Sequence, residues 1–401
     1  MNGAPAWDDD PLVAGWAGLP RLEGSVSADV CVVGLGGSGL AAVESAVERG
    51  LRVVGVDAGR VGAGAAGRNG GFLLGGPAPF LHDAIRTWDE YAVDLYRATL
   101  AELDHLAEML GPSVIDRCGS IRLAGLPGGV AGDSLARAFV GGDSAADDEP
   151  ADDEAADCAA LAATLRAYGI AVQDYDGDLG RGIFLPDDAA TNPARRVLAT
   201  AALLRGRADL FEGSPARSVM SGVVETDRGR VWTGVVLVAV DGTLDLLLPR
   251  LAGRVRTARL QMLATAPVPV RLTCPVYGRW GYDYAQQAAD GRLLVGGGRD
   301  RFADTEWTHD NTPTREVQSY LDTLAARFAG GPVNVTHRWA ASVGFTPDGR
   351  ALCGEVAPGV VVCGGYSGTG NLVGPVAARA ALAHALDATP IPPYFAPPVS
   401  G

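Results

Sequence analysis

Residues 29–71 read DVCVVGLGGSGLAAVESAVERGLRVVGVDAGRVGAGAAGRNGG, and few folds accept that order of residue types. The run 29–33 is short and apolar, as in a strand covered on both faces. It enters Gly34-Leu35-Gly36-Gly37-Ser38-Gly39, a G-x-G-x-x-G spacing between a strand and a helix. Gly34 allows the tight turn, Gly36 lets backbone approach a pyrophosphate, and Gly39 lets the next helix, to about Arg49, pack closely on the strand. Phosphates would lie on the first N–H groups of that helix, around Gly37 and Ser38. A second strand, 51–56, ends in Asp57, whose carboxylate would accept bonds from the ribose hydroxyls. Such an acid argues against a ribose 2′-phosphate and leaves FAD and NAD both open.

With 401 residues, 47% of them apolar, the chain can bury a large core and form two domains or one discontinuous pair. A net charge of −14 and a pI near 4.8 oppose nucleic acid and anionic membrane surfaces as partners. All 33 basic residues are arginine, so any mechanism that needs a lysine is excluded. The six cysteines form no C-x-x-C pair and have no metal-like spacing to histidine, which fits reduced core residues and no metal site. No run reaches transmembrane length and residues 1–28 lack a secretory pattern, so a soluble cytoplasmic protein is expected.

Further along, 80–110 has the apolar spacing of one long or two short helices, and 121–124 that of a strand. The acidic stretch 141–157 reads as a solvated loop, followed by a helical pattern over 158–168 and a strand at 182–185. Asn192 is an N-cap candidate, with Pro193 opening a helix to about Arg205. The segments 209–212, 216–224 and 229–240 suggest a meander leading back into a parallel sheet, its last strand delivering Asp241-Gly242 to the cofactor edge. Runs 259–266, 280–286 and 293–297 suggest a second, antiparallel sheet with a turn at Asp290-Gly291. A helix over 314–328 and strands at 333–342, 351–353 and 360–363 follow. The chain then gives GGYSGTGN, 364–371, and a helix from about Leu372 to Leu386. This second strand–glycine loop–helix unit has N–H groups able to stabilise negative charge on a ligand.

Taken together, these motifs resemble the D-amino-acid-oxidase-like superfamily of FAD-dependent amine oxidoreductases, over nearly the whole chain. The markers are the glycine turn, DAGRVGAGAAGRNGG at 57–71, DDAATNP at 187–193, RLQMLAT at 259–265, DGRLLVGG at 290–297, RWAASVGFTPDG at 338–349 and GGYSGTGN. The branch most like it contains gamma-glutamylputrescine oxidase, with glycine and sarcosine oxidases more distant. The resemblance favours FAD over NAD. It implies that Gly34, Gly36, Gly37, Ser38, Gly39, Asp57, Ala58, Gly59 and Arg60 bind the dinucleotide. It implies likewise that Ala66, Gly67, Arg68, Asn69, Gly70 and Gly71 face the isoalloxazine, and that Gly365, Tyr366, Ser367, Gly368, Thr369, Gly370 and Asn371 stabilise the reduced ring. The fold implied is α/β: a Rossmann-like FAD-binding domain (1–80, 186–255, 335–401) and a discontinuous substrate domain on an antiparallel sheet (81–185, 256–334).

Several positions depart from the family pattern. Relatives with covalent flavin use a cysteine or histidine where this chain has Ala340, Ala341, Ser342 and Val343, so FAD is expected to be non-covalent. The oxygen-activating lysine of sarcosine-oxidase-like members has no counterpart, Thr369 replaces a histidine, and Phe72 stands where a polar residue is common. The expected reaction removes a hydride from the carbon next to an amine, in a small amine or amino acid, to give an imine. Candidate substrate and catalytic residues are Arg279, to hold a carboxylate, Tyr282 and Tyr284, to close the pocket, and Thr369. His309 and His337 are read as structural. Two alternatives stay open: a NAD-dependent dehydrogenase, and a non-catalytic FAD-binding subunit or interaction module.

Overall fold

A computed structural model of the protein describes residues 3–127, 151–270 and 272–398. Its first sheet is built by the most apolar runs. Strands Leu352–Ala357, Val360–Gly364, Gly229–Val238, Gly24–Val33, Val53–Val56 and Asp209–Phe211 lie side by side in that order, all neighbours parallel except the first pair. Alternation along each central strand feeds two cores. Val30, Val32, Val235 and Leu237 point to one side, where helices Gly37–Glu48 and Val373–Asp387 lie against each other; Cys31, Val33, Val236 and Val238 point to the other. Both glycine loops therefore leave the same edge of one sheet, each followed by a helix on the same face.

Among the described residues the second sheet has eight strands: Val335–Phe345, Arg256–Pro267, Arg292–Gly296, Asp283–Gln287, Val276–Gly278, Ser120–Leu123, Gly180–Leu185 and Gln173–Gly177. Every pair is antiparallel except Val276–Gly278 beside Ser120–Leu123, which run parallel. Helix Arg315–Ala329 packs on it through Val317, Leu321, Leu324 and Phe328. A buried ion pair, Arg259 Nη2 to Glu306 Oε1 at 2.8 Å, ties the strand Arg256–Pro267 to the short helix Ala303–Glu306.

Several expectations are met closely. The 80–110 pattern is two helices, Leu81–Trp88 and Tyr91–Leu110. Asn192 accepts from the Arg195 N–H at 3.1 Å, with Pro193 opening helix Pro193–Leu204. Others need correcting. The expected meander is Ala216–Met220, Val223–Thr226 and Gly229–Val238, because 216–224 turns back on itself, while Asp209–Phe211 joins the parallel edge. Val335–Phe345 pairs along Arg256–Pro267, so the FAD-domain boundary expected at 335 falls inside the second sheet. Residues 141–150 of the acidic stretch lie outside the described residues, but 151–157 are not loop. They open helix Ala151–Ala167, where alanine's helix preference outweighs the charge run. The 280–286 strand starts later, at Asp283, because Arg279, Trp280 and Gly281 all have positive φ (49°, 54° and 88°) and form a turn.

Candidate functional site

Both glycine loops open onto one cavity of about 1440 Å³ lying between the two sheets. That exceeds the roughly 300–1,000 Å³ usual for a single small ligand, and suits a large cofactor with a substrate beside it. Of the residues expected there, Gly34, Gly36, Gly37, Ser38, Asp57 and Ala58 line one arm. Ala66, Arg68, Asn69 and Gly70 line the middle, with Tyr366, Ser367, Gly368, Thr369, Gly370 and Asn371 against them. Tyr282 and Tyr284 line the far arm.

The remaining expected residues shape the cavity from behind. Gly34 has φ 95°, and a Cβ on Gly39 would lie inside contact distance of the Gly34 carbonyl oxygen. Gly59 donates its N–H to Asp57 Oδ1 at 2.8 Å, and Arg60 pairs with Asp8 at 2.8 Å. The Gly67 N–H donates to the Gly64 carbonyl, that of Gly71 to Asn69 Oδ1, and that of Gly365 to Asp241 Oδ1. Asp57 also accepts the Leu35 N–H at 2.8 Å. Burial pushes its carboxyl up to about 6 against these two hydrogen bonds.

Backbone donors left over mark where negative charge can sit. Among the described residues no protein acceptor takes the N–H of Gly36, Gly37, Gly70, Gly368, Gly370 or Asn371. Arg196, 2% exposed, joins the first group from helix Pro193–Leu204. Its Nη2 would stand 2.9 Å from a Cβ on Gly37 and donates to Asn371 Oδ1 at 2.9 Å, while its buried Nε has no partner. Burial brings its pKa down to about 10. A buried guanidinium with no anionic partner, facing a helix N-terminus, fits a pyrophosphate. The two loops are tied directly: Asn69 Nδ2 donates to Asn371 Oδ1 at 3.2 Å, and Asn371 Nδ2 donates to Asn69 Oδ1 at 3.0 Å. These residues fit FAD.

The far arm is aromatic. Phe72 meets Tyr277 edge-on with centroids 4.9 Å apart and Tyr284 at 5.6 Å, and burial pushes both phenols above their ordinary pKa. The Thr369 hydroxyl donates to the Tyr366 carbonyl at 2.7 Å and so closes its own turn. The role expected for Arg279 is corrected: it does not line the cavity, and its guanidinium is taken by Asp283 at 2.9 Å and by Asp300. Among the described residues four cavity arginines have no carboxylate partner; Arg68 donates to the Ala340 carbonyl and Arg196 to Asn371, whereas Arg122 and Arg299 have no hydrogen-bond acceptor at all. His337 pairs with Asp9 and His309 with Asp245, though His309 also reaches the cavity wall.

Three residues that the motifs did not mark therefore matter, Arg122, Arg196 and Tyr277, and Asp241 stands at the cofactor edge where its strand was expected to deliver it. The acidic helix contributes too. Glu154, with its carboxyl raised to about 7 by burial, accepts the Trp280 N–H at 2.7 Å, and Asp157 accepts Trp280 Nε1 at 2.7 Å. Trp280 and Tyr282 line the cavity, so these two carboxylates hold part of its wall.

Comparison with known proteins bears on the cofactor. Residues 29–384 match the family described as DAO, FAD dependent oxidoreductase. A protein named "Probable oxidoreductase OrdL" from Rhizobium meliloti is 29% identical over 377 residues, spanning 88% of this chain and 82% of that protein. "Gamma-glutamylputrescine oxidoreductase" of Escherichia coli is 26% identical over 369 residues, spanning 88% and 83%. Among solved structures, L-proline dehydrogenase from P. horikoshii has a TM-score of 0.71 at 17% identity, covering 94% of this chain and 98% of that one. Glycine oxidase from Geobacillus kaustophilus has a TM-score of 0.69 at 20% identity, covering 91% and 95%.

Proposed function

Because the chain belongs to the DAO family of FAD-dependent oxidoreductases, we propose that it oxidises the carbon next to nitrogen in a small amine or amino acid. The observation that carries this reading is the aromatic chamber of Phe72, Tyr277 and Tyr284, continuous with the glycine-lined arm. Relatives named for glycine, proline and gamma-glutamylputrescine support the substrate class.

Bound FAD supplies the two-electron acceptor. With it bound, oxidation would take a hydride from carbon and release a proton from nitrogen to solvent, leaving a C=N bond that water hydrolyses to amine or ammonia and a carbonyl product. The protein's part is positioning. The ring edges of Phe72, Tyr277 and Tyr284 exclude water and fix the substrate carbon, and the Gly368, Gly370 and Asn371 N–H groups and Arg196 hold negative charge. We take the FAD to be non-covalent, since Ala340, Ala341, Ser342 and Val343 stand where relatives with covalent flavin carry a cysteine or histidine. We also take the protein to act in the cytoplasm, which its six free cysteines support. No helix among the described residues is long and apolar enough to cross a membrane. We divide the chain into an FAD half (1–80, 186–255 and the segments after the strand Val335–Phe345) and a substrate half made of the rest.

Arg196→Leu should raise the dissociation constant for FAD on the order of 10- to 100-fold, the worth of a charge-assisted hydrogen bond. Titrating apoprotein with FAD measures it, and unchanged affinity would remove Arg196 from the site. The reading as a whole is tested by mixing holoenzyme anaerobically with amines and amino acids, watching for bleaching of the flavin, and then admitting air. If no amine or amino acid bleaches it, the enzymatic reading fails and a non-catalytic FAD protein takes its place.

A further inference from the structure

One row of directly opposed residues crosses five strands of the second sheet: Met262, Gly296, Tyr284, Tyr277 and Arg122. Opposed residues on neighbouring strands share a face, and all of these but Gly296 line the cavity. Gly296 makes room in the row, because a Cβ there would enter the Tyr284 ring. Midway along it the loop 68–71 sits on the row, a Cβ on Gly70 being 3.2 Å from Tyr284. At one end the Arg122 Cζ stands 4.5 Å from the Phe80 centroid and 5.6 Å from that of Tyr277. Among the described residues no carboxylate or carbonyl hydrogen-bonds the Arg122 guanidinium, although the Asp188 and Glu154 carboxylates are near enough to feel its charge, and its buried Nε has no acceptor.

Arginine keeps its charge, and an unpaired cation in an aromatic wall carries a desolvation cost that an anionic ligand group removes. The row is also a ruler. Two strand spacings, roughly 10 Å, separate Tyr284 from Arg122. A bidentate carboxylate takes up about 4 Å of that, which leaves about five chain bonds at roughly 1.2 Å each. The geometry points to a straight-chain amine whose carboxylate lies about five bonds from the carbon being oxidised, with Arg122 as its anchor. A carboxylate on the oxidised carbon itself would not reach Arg122. This inference rests on the reading of the chain as an FAD-dependent amine oxidoreductase.

The test uses holoenzyme under anaerobic conditions with amines bearing a terminal carboxylate and roughly two to seven methylenes between the groups. Alkylamines of matched length and α-amino acids serve as comparisons. Bleaching efficiency should peak at an intermediate length and exceed that of the matched alkylamine on the order of 30-fold. In Arg122→Leu that ratio should fall towards one through a raised apparent dissociation constant, and Arg122→Lys should restore part of it. Best bleaching by α-amino acids, a ratio untouched by Arg122→Leu, or a ratio lost in Arg299→Leu instead would overturn the proposal. If no amine bleaches the flavin, the enzymatic reading has failed, and Arg122 is tested by binding alone. Straight-chain carboxylates from butanoate to heptanoate, titrated into oxidised holoenzyme by calorimetry, should bind on the order of 30-fold more weakly to Arg122→Leu. Should that variant lose its FAD, Arg122→Lys is titrated in its place. Absent or equal binding refutes the anchor.

Discussion

Gly39→Ala is expected to purify colourless and to melt well below the parent protein. The added Cβ would fall inside contact distance of the Gly34 carbonyl oxygen, in a turn where Gly34 already needs a φ of 95°. Backbone cannot swing aside as a side-chain end can, so the strand–helix junction has to be rebuilt at a cost of about 3 kcal/mol or more. Flavin absorbance per protein and a thermal melt measure the effect, and a yellow protein with full FAD content would show the junction to be far softer than described. Gly36→Ala is the informative contrast. Its Cβ would meet only the Ala66 Cβ, at 3.2 Å, while occupying the cavity wall. It should weaken FAD with little change in the melting of apoprotein.

Asp241→Ala should be comparably severe, and by a different route. One carboxylate serves three N–H groups: Gly365 at 2.9 Å and Tyr366 at 3.3 Å through Oδ1, and Gly344 at 3.0 Å through Oδ2. It thus pins the terminal glycine loop and the end of the second sheet to the tip of a central strand. Removal leaves three donors unpaired at about 1–3 kcal/mol each where water does not replace the carboxylate, and puts alanine at a φ of 42°. Asp241→Asn keeps one acceptor oxygen and should fall between. FAD content and melting temperature should rank parent, Asn, Ala; an alanine variant that keeps its FAD and melts within about 2 °C of the parent would contradict this.

Legibility in the sequence followed the range over which each signal acts. The glycine turns, the Asn192 cap and the apolar strands flanking the first turn depend on neighbours a few residues apart, and these appear where expected. The cross-sheet row was not readable, because Arg122 meets the neighbouring pair Tyr277 and Tyr284 only through the register of a strand from a distant part of the chain. Arg279 looked suitable by residue type, and nothing local announced that Asp283 and Asp300 consume its charge. Glu154 and Asp157 were hidden by composition: in an acidic run, the two carboxylates that face inward look like those that face water. Asp241 carried a faint signal, an acid before glycine at the end of the most apolar strand, but its three acceptor bonds are tertiary.

The reciprocal amide pair between Asn69 and Asn371 joins positions 302 residues apart. Closing so long a loop is entropically slow, and the contact gains nothing until the intervening sheets have formed. During synthesis the first glycine turn can therefore take shape early, yet it remains half a site until the strand Val360–Gly364 and the loop after it have been made. Cofactor capture becomes one of the last events of folding, and the newly made chain must keep a wide, partly apolar cleft out of aggregation until then.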